Sequence, residues 1–258
     1  MRVPGRITIF GEAFGGLTER ATASVPTQQA LVSGPDAAHL RGRETYDANL
    51  DDIGGMLVRL GHIPEARLGI KGDLPMESGL ASSTALTLIH LGRREGEDVV
   101  NAISQVDHEA NGFHPSGADS AAVRAEEPGV FGLGEWTPLS IALPPGSHIL
   151  IPPKDRLSDK MAATITMRAQ RGVLEPLIRT LVATLDAEGG LDLDALAEYA
   201  RTLLRVGVYS RTQSEVIGSL LERGVVAKGV GAMYDRAILV LADEVIWDGM
   251  PPMPLVAQ

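Results

Sequence analysis

Asp119 is the residue of this chain best placed for acid–base chemistry. It follows the turn formed by Ser116 and Gly117 and opens an alanine-rich stretch that favours a helix. A carboxylate there could accept the proton of a substrate hydroxyl, or orient its oxygen, during phosphoryl transfer. It could equally cap the helix, a common role that contributes about 1 kcal/mol. The residues around Asp119 leave both roles open.

A loop of small residues at 74–85 could hold the phosphate in such a reaction. A strand-like run at 68–70 precedes it, Gly79 allows a tight turn, and a helix-compatible run at 83–91 follows. The first amides of a helix lack internal partners and carry the positive end of its dipole, so they bind anions. Ser82 and Ser83 could bind phosphate and Mg²⁺, or could simply cap the helix.

Arg6 could supply positive charge to the same reaction. It lies in a short apolar strand predicted over residues 3–10. A guanidinium stays protonated, so it could keep a nearby carboxylate ionised and offset charge on a moving phosphoryl group. The alternative is a surface arginine beside an edge strand. Near the other end of the chain, residues 227–232 lead into a strand predicted over 237–241.

In order and spacing, these four segments resemble the GHMP small-molecule kinases, and among them the mevalonate kinases. The family's phosphate loop matches Pro75-x-x-x-Gly79-Leu80-Ala81-Ser82-Ser83, with Ala81 where glycine is usual. Its catalytic segment matches Pro115-Ser116-Gly117-Ala118-Asp119. The resemblance covers residues 3–241. It implies an α+β fold of two lobes, the first like a domain of a ribosomal protein and the second ferredoxin-like.

The resemblance also implies roles for individual residues. Asp119 and Arg6 would be catalytic, and Ser83 and Glu109 would bind Mg²⁺, although Glu109 matches only with a one-residue gap. The implied substrate contacts are Glu12, Ser116, Gly117, Gly231 and Ala232. The implied nucleotide contacts are Pro75, Glu77, Ser78, Gly79, Leu80, Ala81, Ser82, Ser83 and Thr84. ATP and Mg²⁺ are the implied cofactors.

The chain departs from the family pattern at several positions. Most mevalonate kinases that it resembles have Lys at the position of Arg6 and His at that of Ala13. Family members carry a run of glycines where this chain has Met-Tyr-Asp-Arg at 233–236. Glycine runs allow close backbone approach, so their loss at 233–236 bears on both the phosphate-donor geometry and the identity of the substrate. The missing His at Ala13 bears on the substrate pocket.

Composition excludes several classes of function. The net charge of −10 argues against nucleic acid as a partner. The absence of cysteine excludes disulfides, thiolate catalysis and thiolate metal sites. We find no membrane-length apolar run and no signal-peptide pattern, so we expect a cytoplasmic protein without a membrane partner. The expected partners are a nucleotide and a small-molecule substrate, and a homodimer is left open.

Strands and helices alternate without strict βαβ order, which favours an α+β fold. Pro152-Pro153 suggests a boundary between an N-terminal lobe at 1–152 and a C-terminal lobe at 153–258. Further strands are predicted at 21–25 and 29–33, paired with Pro26 at the bend, and at 130–133, 139–143 and 148–151. Further helices are predicted at 46–60, 97–110, 159–186, 191–205 and 213–222, and the helix at 159–186 is expected to kink before Pro176. The tail from residue 248 is expected to be irregular.

We therefore expect a kinase that transfers the γ-phosphate of ATP to a hydroxyl of mevalonate or a similar hydroxy acid. One alternative is a kinase of the same fold that acts on a sugar or an amino alcohol. A second is a related ATP-dependent decarboxylase. A third is a nucleotide-binding protein without catalysis, which the lost glycine run favours and the intact Asp119 opposes.

Overall fold

Two antiparallel sheets organise the fold, which is known from a computed structural model. The structure describes residues 1–34, 44–45, 53–66, 69–76, 78–111, 115–153, 160–188, 190–231, 237–246 and 249–255. The strands there are β1 (Arg2–Phe10), β2 (Thr22–Val32), β3 (Glu44–Thr45), β4 (Lys71–Gly72), β5 (Gly129–Gly132), β6 (Glu135–Pro138), β7 (His148–Leu150), β8 (Val226–Gly229), β9 (Ile238–Leu241) and β10 (Met253–Pro254). The helices there are α1 (Gly55–Arg59), α2 (Ser82–Leu91), α3 (Glu97–Asn111), α4 (Ala118–Ala125), α5 (Lys160–Ala169), α6 (Arg171–Glu188), α7 (Leu193–Val206) and α8 (Arg211–Glu222).

The first sheet carries the N-terminal half of the described chain. Its strands run in the order β3-β4-β2-β5-β6, and β1 pairs with the long strand β2. Helices α2 and α4 pack on β1 and β2, and α3 packs on α2. The side chains of β1 are buried from Val3 onward, so both faces of this strand lie inside the protein. This burial brings β1 against the helices that carry the predicted site.

The second sheet has the order β10-β7-β9-β8. Helices α7 and α8 pack on β8, and α6 packs on α7. The sequence explains where both helices begin, because Asp192 caps α7 and Ser210 forms a capping box with Gln213 at α8. β10 falls in the tail that we expected to be irregular, so that expectation was wrong for Met253 and Pro254.

Strand β2 differs from the prediction of two strands bent at Pro26. It runs unbroken from Thr22 to Val32, with Pro26 opposite Arg6 of β1. The β1–β2 register shifts between Pro4 and Arg6, next to this proline. A bulge tolerates the missing amide hydrogen of proline, which explains why the strand continues.

Two more predicted elements lie elsewhere. The prediction of a strand at 139–143 was wrong, because only Ala142 forms an isolated bridge there, to Gly190. The strand after β5 is β6 at Glu135–Pro138, reached by a two-residue turn in which Leu133 and Gly134 both have positive φ. Such a turn matches the twist of a hairpin, but leucine there gives no sequence signal. The helix predicted at 159–186 is broken at Gln170, between α5 and α6, rather than before Pro176, which lies inside α6.

Other predictions overlap the described residues only in part. For the helix predicted at 46–60, residues 46–52 lie outside the described residues, and α1 covers Gly55–Arg59. Leu68 of the strand predicted at 68–70 also lies outside them, and the strand there is β4, one residue later. The lobe boundary after residue 152 stays a prediction, and β7, which precedes it, pairs within the second sheet. No described helix is both long and apolar enough to cross a membrane.

Candidate active site

A cleft of about 370 Å³ brings most of the predicted catalytic and substrate-binding residues together. It is lined by residues of β1, β2, β5, α2, α3, α4 and α5 and of the loops beside them. The predicted residues in its wall are Arg6, Glu12, Ser83, Ser116, Gly117, Asp119 and Gly231. The volume falls in the usual range for small-molecule sites.

Arg6 and Asp119 form an ion pair in this cleft. The Nη2 atom of Arg6 contacts Oδ1 of Asp119, and the two side chains are 6% and 42% exposed. The pair therefore joins a buried cation to a carboxylate that an incoming ligand can reach. Arg6 is not the surface arginine that the sequence left as an alternative.

The buried end of Arg6 is held by hydroxyl groups. Its Nη1 atom donates to Thr8 Oγ1 and, at 2.8 Å, to Ser24 Oγ. Burial lowers the pKa of Arg6 to about 10, while the charges of Glu12 and Asp107 act to raise it. Arg6 therefore still carries its positive charge at neutral pH.

Asp119 is held by the start of α4 without capping it. The N-cap of α4 is Gly117, whose φ of 85° is in the left-handed region that favours glycine. Asp119 lies in the first turn, where the helix dipole favours a negative charge. The capping role that the sequence left open therefore belongs to Gly117, and the Asp119 carboxylate is turned to Arg6.

The small-residue loop enters α2 through a strained residue. Ala81 is the N-cap of α2, with φ 59° and ψ 36°, and no side chain caps the helix. The serines therefore do not act as the cap. Ser83 lines the cleft, and its Oγ donates to Asp107 Oδ1 at 3.2 Å.

The loop meets the cleft at its edge. Leu80 is fully buried, and its carbonyl accepts a hydrogen bond of 3.1 Å from the Arg6 amide. The other predicted nucleotide contacts among the described residues do not line the cleft and stay predictions: Pro75, Ser78, Gly79, Leu80, Ala81, Ser82 and Thr84. Glu77 lies outside the described residues.

The carboxylate beside Ser83 is Asp107, not Glu109. Glu109 does not line the cleft, and its Oε1 lies 2.6 Å from Nη2 of Arg59 on the surface. Asp107 follows Val100, Ile103 and Ser104 on the face of α3 that lines the cleft. That helical spacing could have identified Asp107 from the sequence, whereas the gapped family match indicated Glu109, whose role as a metal ligand stays a prediction.

Ser83 and Asp107 have the chemistry of a Mg²⁺ site. They present a hydroxyl and a carboxylate side by side, and Mg²⁺ prefers such hard oxygen ligands and takes few of them from protein. Among the described residues, no group of three or more His, Cys, Asp or Glu side chains is arranged to hold a metal ion. The pair therefore fits a cation whose remaining ligands are phosphate oxygens and water.

The loop after β8 lies directly on the small-residue loop that precedes α2. Gly231 has φ 67°, and a Cβ added there would lie 2.6 Å from the Cα of Gly79. The Ala237 amide donates to the Ser78 carbonyl at 2.9 Å. The two loops therefore touch through backbone at one end of the cleft. Ala232 and residues 233–236 lie outside the described residues.

Two residues behind the cleft wall were not found by sequence reasoning. Lys228 forms a buried ion pair with Glu12, and Tyr199 Oη donates to Glu12 Oε2 at 3.2 Å. Both come from the C-terminal half of the chain, far from Glu12 in sequence. Their isolated positions in α7 and β8 gave no local signal, because only the tertiary structure brings them to Glu12.

Two further arginines in the cleft wall were also missed. Arg124 of α4 donates from Nε to the Arg94 carbonyl at 2.6 Å, and Arg168 of α5 donates from Nε to the Ala13 carbonyl at 3.4 Å. With Arg6, they place cations from three elements around one cleft. The same lining holds the carboxylates of Glu12, Asp107 and Asp119, so the arginines offer local binding points for an anionic group of a ligand and do not make the cleft positive as a whole.

Comparison with solved structures identifies the fold. The mevalonate kinase of Methanococcus jannaschii matches with a TM-score of 0.60 at 12% identity, over 93% of this chain and 89% of that chain. The galactokinase of Lactococcus lactis, complexed with galactose, matches with a TM-score of 0.62 at 13% identity, over 94% of this chain and 84% of that chain. The phosphomevalonate kinase of Streptococcus pneumoniae matches with a TM-score of 0.58 at 12% identity, over 94% and 90%.

Comparison of the amino-acid sequence finds no relative. No protein-family model matches the chain, and no curated protein matches it. The similarity at 12–13% identity is therefore one of fold. The expected resemblance is confirmed at that level: the chain has the α+β fold that the GHMP kinases share.

Proposed function

We propose that this protein is a small-molecule kinase that transfers the γ-phosphate of ATP to a hydroxyl of a small hydroxy acid, with mevalonate the leading candidate. The observation that carries the proposal is the Arg6–Asp119 ion pair, which lies in the same cleft as Ser83 and Asp107. A proton acceptor, a fixed cation and a hard-oxygen pair are the groups that phosphoryl transfer needs. The shared fold supports the same reaction class.

Asp119 is the proposed proton acceptor. The acceptor hydroxyl oxygen forms a bond to the γ-phosphorus, and the bond from that phosphorus to the β,γ-bridging oxygen breaks, releasing ADP. The hydroxyl proton passes to the Asp119 carboxylate, which is 42% exposed and therefore open to a ligand. Arg6 keeps this carboxylate ionised before the transfer and offsets the charge of the transferred group.

The nucleotide would lie where Ser83, Gly231 and the start of α2 meet. No side chain caps the start of α2, and the amides at a helix start, with the positive end of the helix dipole, are a typical binding site for phosphate oxygens. Ser83 and Asp107 would hold Mg²⁺, which when bound neutralises part of the phosphate charge. Asp107 would therefore be the second metal ligand, in place of Glu109, which the family pattern indicated.

The acceptor would lie between Glu12, the Ser116-Gly117 turn and the two outer arginines of the cleft. Arg124 and Arg168 favour an acceptor with a carboxylate or phosphate group. Glu12 offers a hydrogen-bond acceptor for a second hydroxyl. Mevalonate combines a carboxylate with two hydroxyls, so it satisfies both requirements.

A sugar or amino alcohol is the second candidate acceptor. The galactokinase complexed with galactose has a TM-score as high as those of the mevalonate kinases. Ala13, where the mevalonate kinases carry His, lines the same cleft and leaves room for a different acceptor. The Arg124 and Arg168 cations favour the hydroxy acid over this candidate.

An acceptor panel with ADP detection tests the proposal. Mevalonate, phosphomevalonate, galactose and a set of amino alcohols would each be supplied with ATP and Mg²⁺. We expect ADP release that depends on mevalonate, without release of carbon dioxide. Carbon dioxide release would instead indicate the decarboxylase. Binding of ATP in a calorimeter with no turnover of any panel member would contradict the kinase proposal and favour a non-catalytic protein.

A further inference from the structure

Lys228 is a buried lysine that the proposed reaction does not use. None of its side-chain surface is exposed, and it does not belong to the cleft wall. Its Nζ atom donates to the Thr8 carbonyl at 3.2 Å, to the Gly229 carbonyl at 2.6 Å and to Glu12 Oε1. A lysine is rarely buried so completely unless it is paired, and here the paired group is a carboxylate of the cleft wall.

Tyr199 holds the other oxygen of the same carboxylate. Its hydroxyl donates to Glu12 Oε2 at 3.2 Å and accepts a hydrogen bond of 3.2 Å from the Gly11 amide. Glu12 is itself only 4% exposed, yet it lines the cleft. Lys228 and Tyr199, both from the second half of the chain, therefore hydrogen-bond to the two carboxylate oxygens of Glu12, which lines the cleft.

The charges of Glu12, Lys228 and Arg6 lie close enough to influence one another. Burial lowers the pKa of Lys228, and the charge of Arg6 lowers it further, whereas the charge and hydrogen bond of Glu12 raise it. Removing either member of a buried pair leaves the other charge uncompensated. A carboxylate has about four lone-pair directions, so two remain after Lys228 and Tyr199 have taken theirs.

We propose that Lys228 and Tyr199 are positioning residues that fix the Glu12 carboxylate so that it takes a hydrogen-bond donor of the acceptor. The inference rests on the proposed function for the identity of the site as a kinase cleft. The second hydroxyl of the acceptor, or an amine in its place, would then bind a carboxylate whose orientation Lys228 and Tyr199 have already fixed. Lys228 acts through Glu12 and does not touch the acceptor.

Kinetics of four variants test this inference. The variants are Tyr199→Phe, Lys228→Met, Lys228→Arg and Glu12→Gln, measured with mevalonate, or with whichever panel member wild type phosphorylates. Tyr209→Phe is the matched control, because Tyr209 is also buried but packs against Gly229 rather than bonding to Glu12. We expect Tyr199→Phe to raise the acceptor KM about tenfold, the effect of one hydrogen bond to a charged group, with the ATP KM unchanged.

The other variants separate positioning from mere support of the fold. Lys228→Met should raise the acceptor KM more than Tyr199→Phe does, Lys228→Arg should recover part of the loss, and Tyr209→Phe should leave both KM values unchanged. Equal changes in the two KM values, or lower thermal stability with wild-type kinetics, would show a structural role and overturn the inference.

The Lys228–Glu12 interaction can also be measured without enzyme turnover. If wild type phosphorylates no panel member, the proposed function fails, and the Lys228–Glu12 coupling is then read from unfolding midpoints. A double variant, Lys228→Met with Glu12→Gln, that is more stable than Lys228→Met alone would support the coupling. Additive losses would overturn it. If Lys228→Met does not fold, Lys228→Arg and Tyr199→Phe carry both tests.

Discussion

The guanidinium of Arg6 meets the carboxylate of Asp119 at the boundary between the protein interior and the cleft. Arg6 is anchored from behind by Thr8 and Ser24. Its backbone amide is bonded to Leu80 of the phosphate loop. One residue therefore links the proposed proton acceptor to the segment that would hold the nucleotide, and a displacement of β1 would disturb both.

Exchanging Asp107 should change the metal dependence, and exchanging Glu109 should not. Asp107→Asn removes a charged ligand beside Ser83, so we expect a severalfold higher Mg²⁺ concentration for half-maximal ATP turnover. Glu109→Gln is the control, since Glu109 pairs with Arg59 away from the cleft. A Mg²⁺ titration of both variants decides between them. A shift with Glu109→Gln alone would restore the original assignment from the family pattern.

Replacing Ala81 by glycine should stabilise the protein. Ala81 has a left-handed backbone, with φ 59°, which costs an L-residue about 1 kcal/mol that glycine does not pay. We therefore expect Ala81→Gly to raise the free energy of unfolding by up to about 1 kcal/mol, less the entropy glycine adds to the unfolded chain. Urea denaturation measures this change.

Ala85→Gly provides the matched control for that prediction. Ala85 lies inside α2 and is fully buried, so glycine there should destabilise by about 1 kcal/mol or more. Destabilisation of similar size by both substitutions would mean that Ala81 is not strained.

Gly231→Ala should weaken nucleotide binding. Its Cβ would lie 2.6 Å from the Gly79 Cα and 2.7 Å from the Gly79 carbonyl oxygen, so the two loops must separate. We expect at least a tenfold loss of ATP affinity in a calorimeter, equivalent to about 1.4 kcal/mol. Gly218→Ala in α8, where an added Cβ meets nothing within 4 Å, should leave the affinity unchanged. Unchanged affinity in Gly231→Ala would argue against a nucleotide at this junction.

Alkaline pH should remove the stability contributed by two buried tyrosines. Burial raises the pKa of Tyr199 and of Tyr209 well above the ordinary value of 10.0, with the charge of Glu12 as the next cause. Above that pH the unfolded chain releases protons that the folded chain retains, so the free energy of unfolding falls. The contribution is complete below pH 10 and declines by up to about 1.4 kcal/mol per pH unit above it, for each tyrosine.

Subtracting the free energy of unfolding of Tyr209→Phe from that of wild type isolates the contribution of the Tyr209 hydroxyl. The contributions of other groups that titrate in the same pH range cancel. Arg6 and Lys228 have lowered pKa values and act in the opposite direction in both proteins. We expect the difference in free energy of unfolding between the two proteins to be constant below pH 10 and to change by up to about 1.4 kcal/mol per pH unit above it. A difference independent of pH throughout would contradict the burial of this hydroxyl.

Local patterns in the sequence were enough to predict the parts of the site that are local in the chain. The strand around Arg6, the turn before Asp119 and the loop before α2 each depend on a few neighbouring residues, and the structure confirms these elements. Helical periodicity also predicted α3. The family pattern, matched to that helix with a one-residue gap, indicated Glu109, whereas the carboxylate next to Ser83 in the structure is Asp107.

The parts that sequence could not predict depend on distant contacts. Glu12 was expected to bind substrate, but nothing near it indicated a lysine 216 positions away. Pro26 suggested a bend, because a proline usually interrupts a strand, whereas its partner strand supplies a register shift that accommodates it. In both cases the deciding residue belongs to another element.

Asp119→Asn is the most direct test of the central claim. The amide keeps the size of the side chain but cannot accept the acceptor proton, so we expect kcat to fall about 10²-fold or more, with ATP affinity close to wild type. Unfolding stability should fall somewhat, because buried Arg6 loses its charge partner but keeps its hydrogen bonds to Thr8 and Ser24. Asp98→Asn is the control, because Asp98 is also paired with an arginine in the first turn of a helix. Steady-state ADP release with the active acceptor measures both. Wild-type turnover by Asp119→Asn would contradict the account.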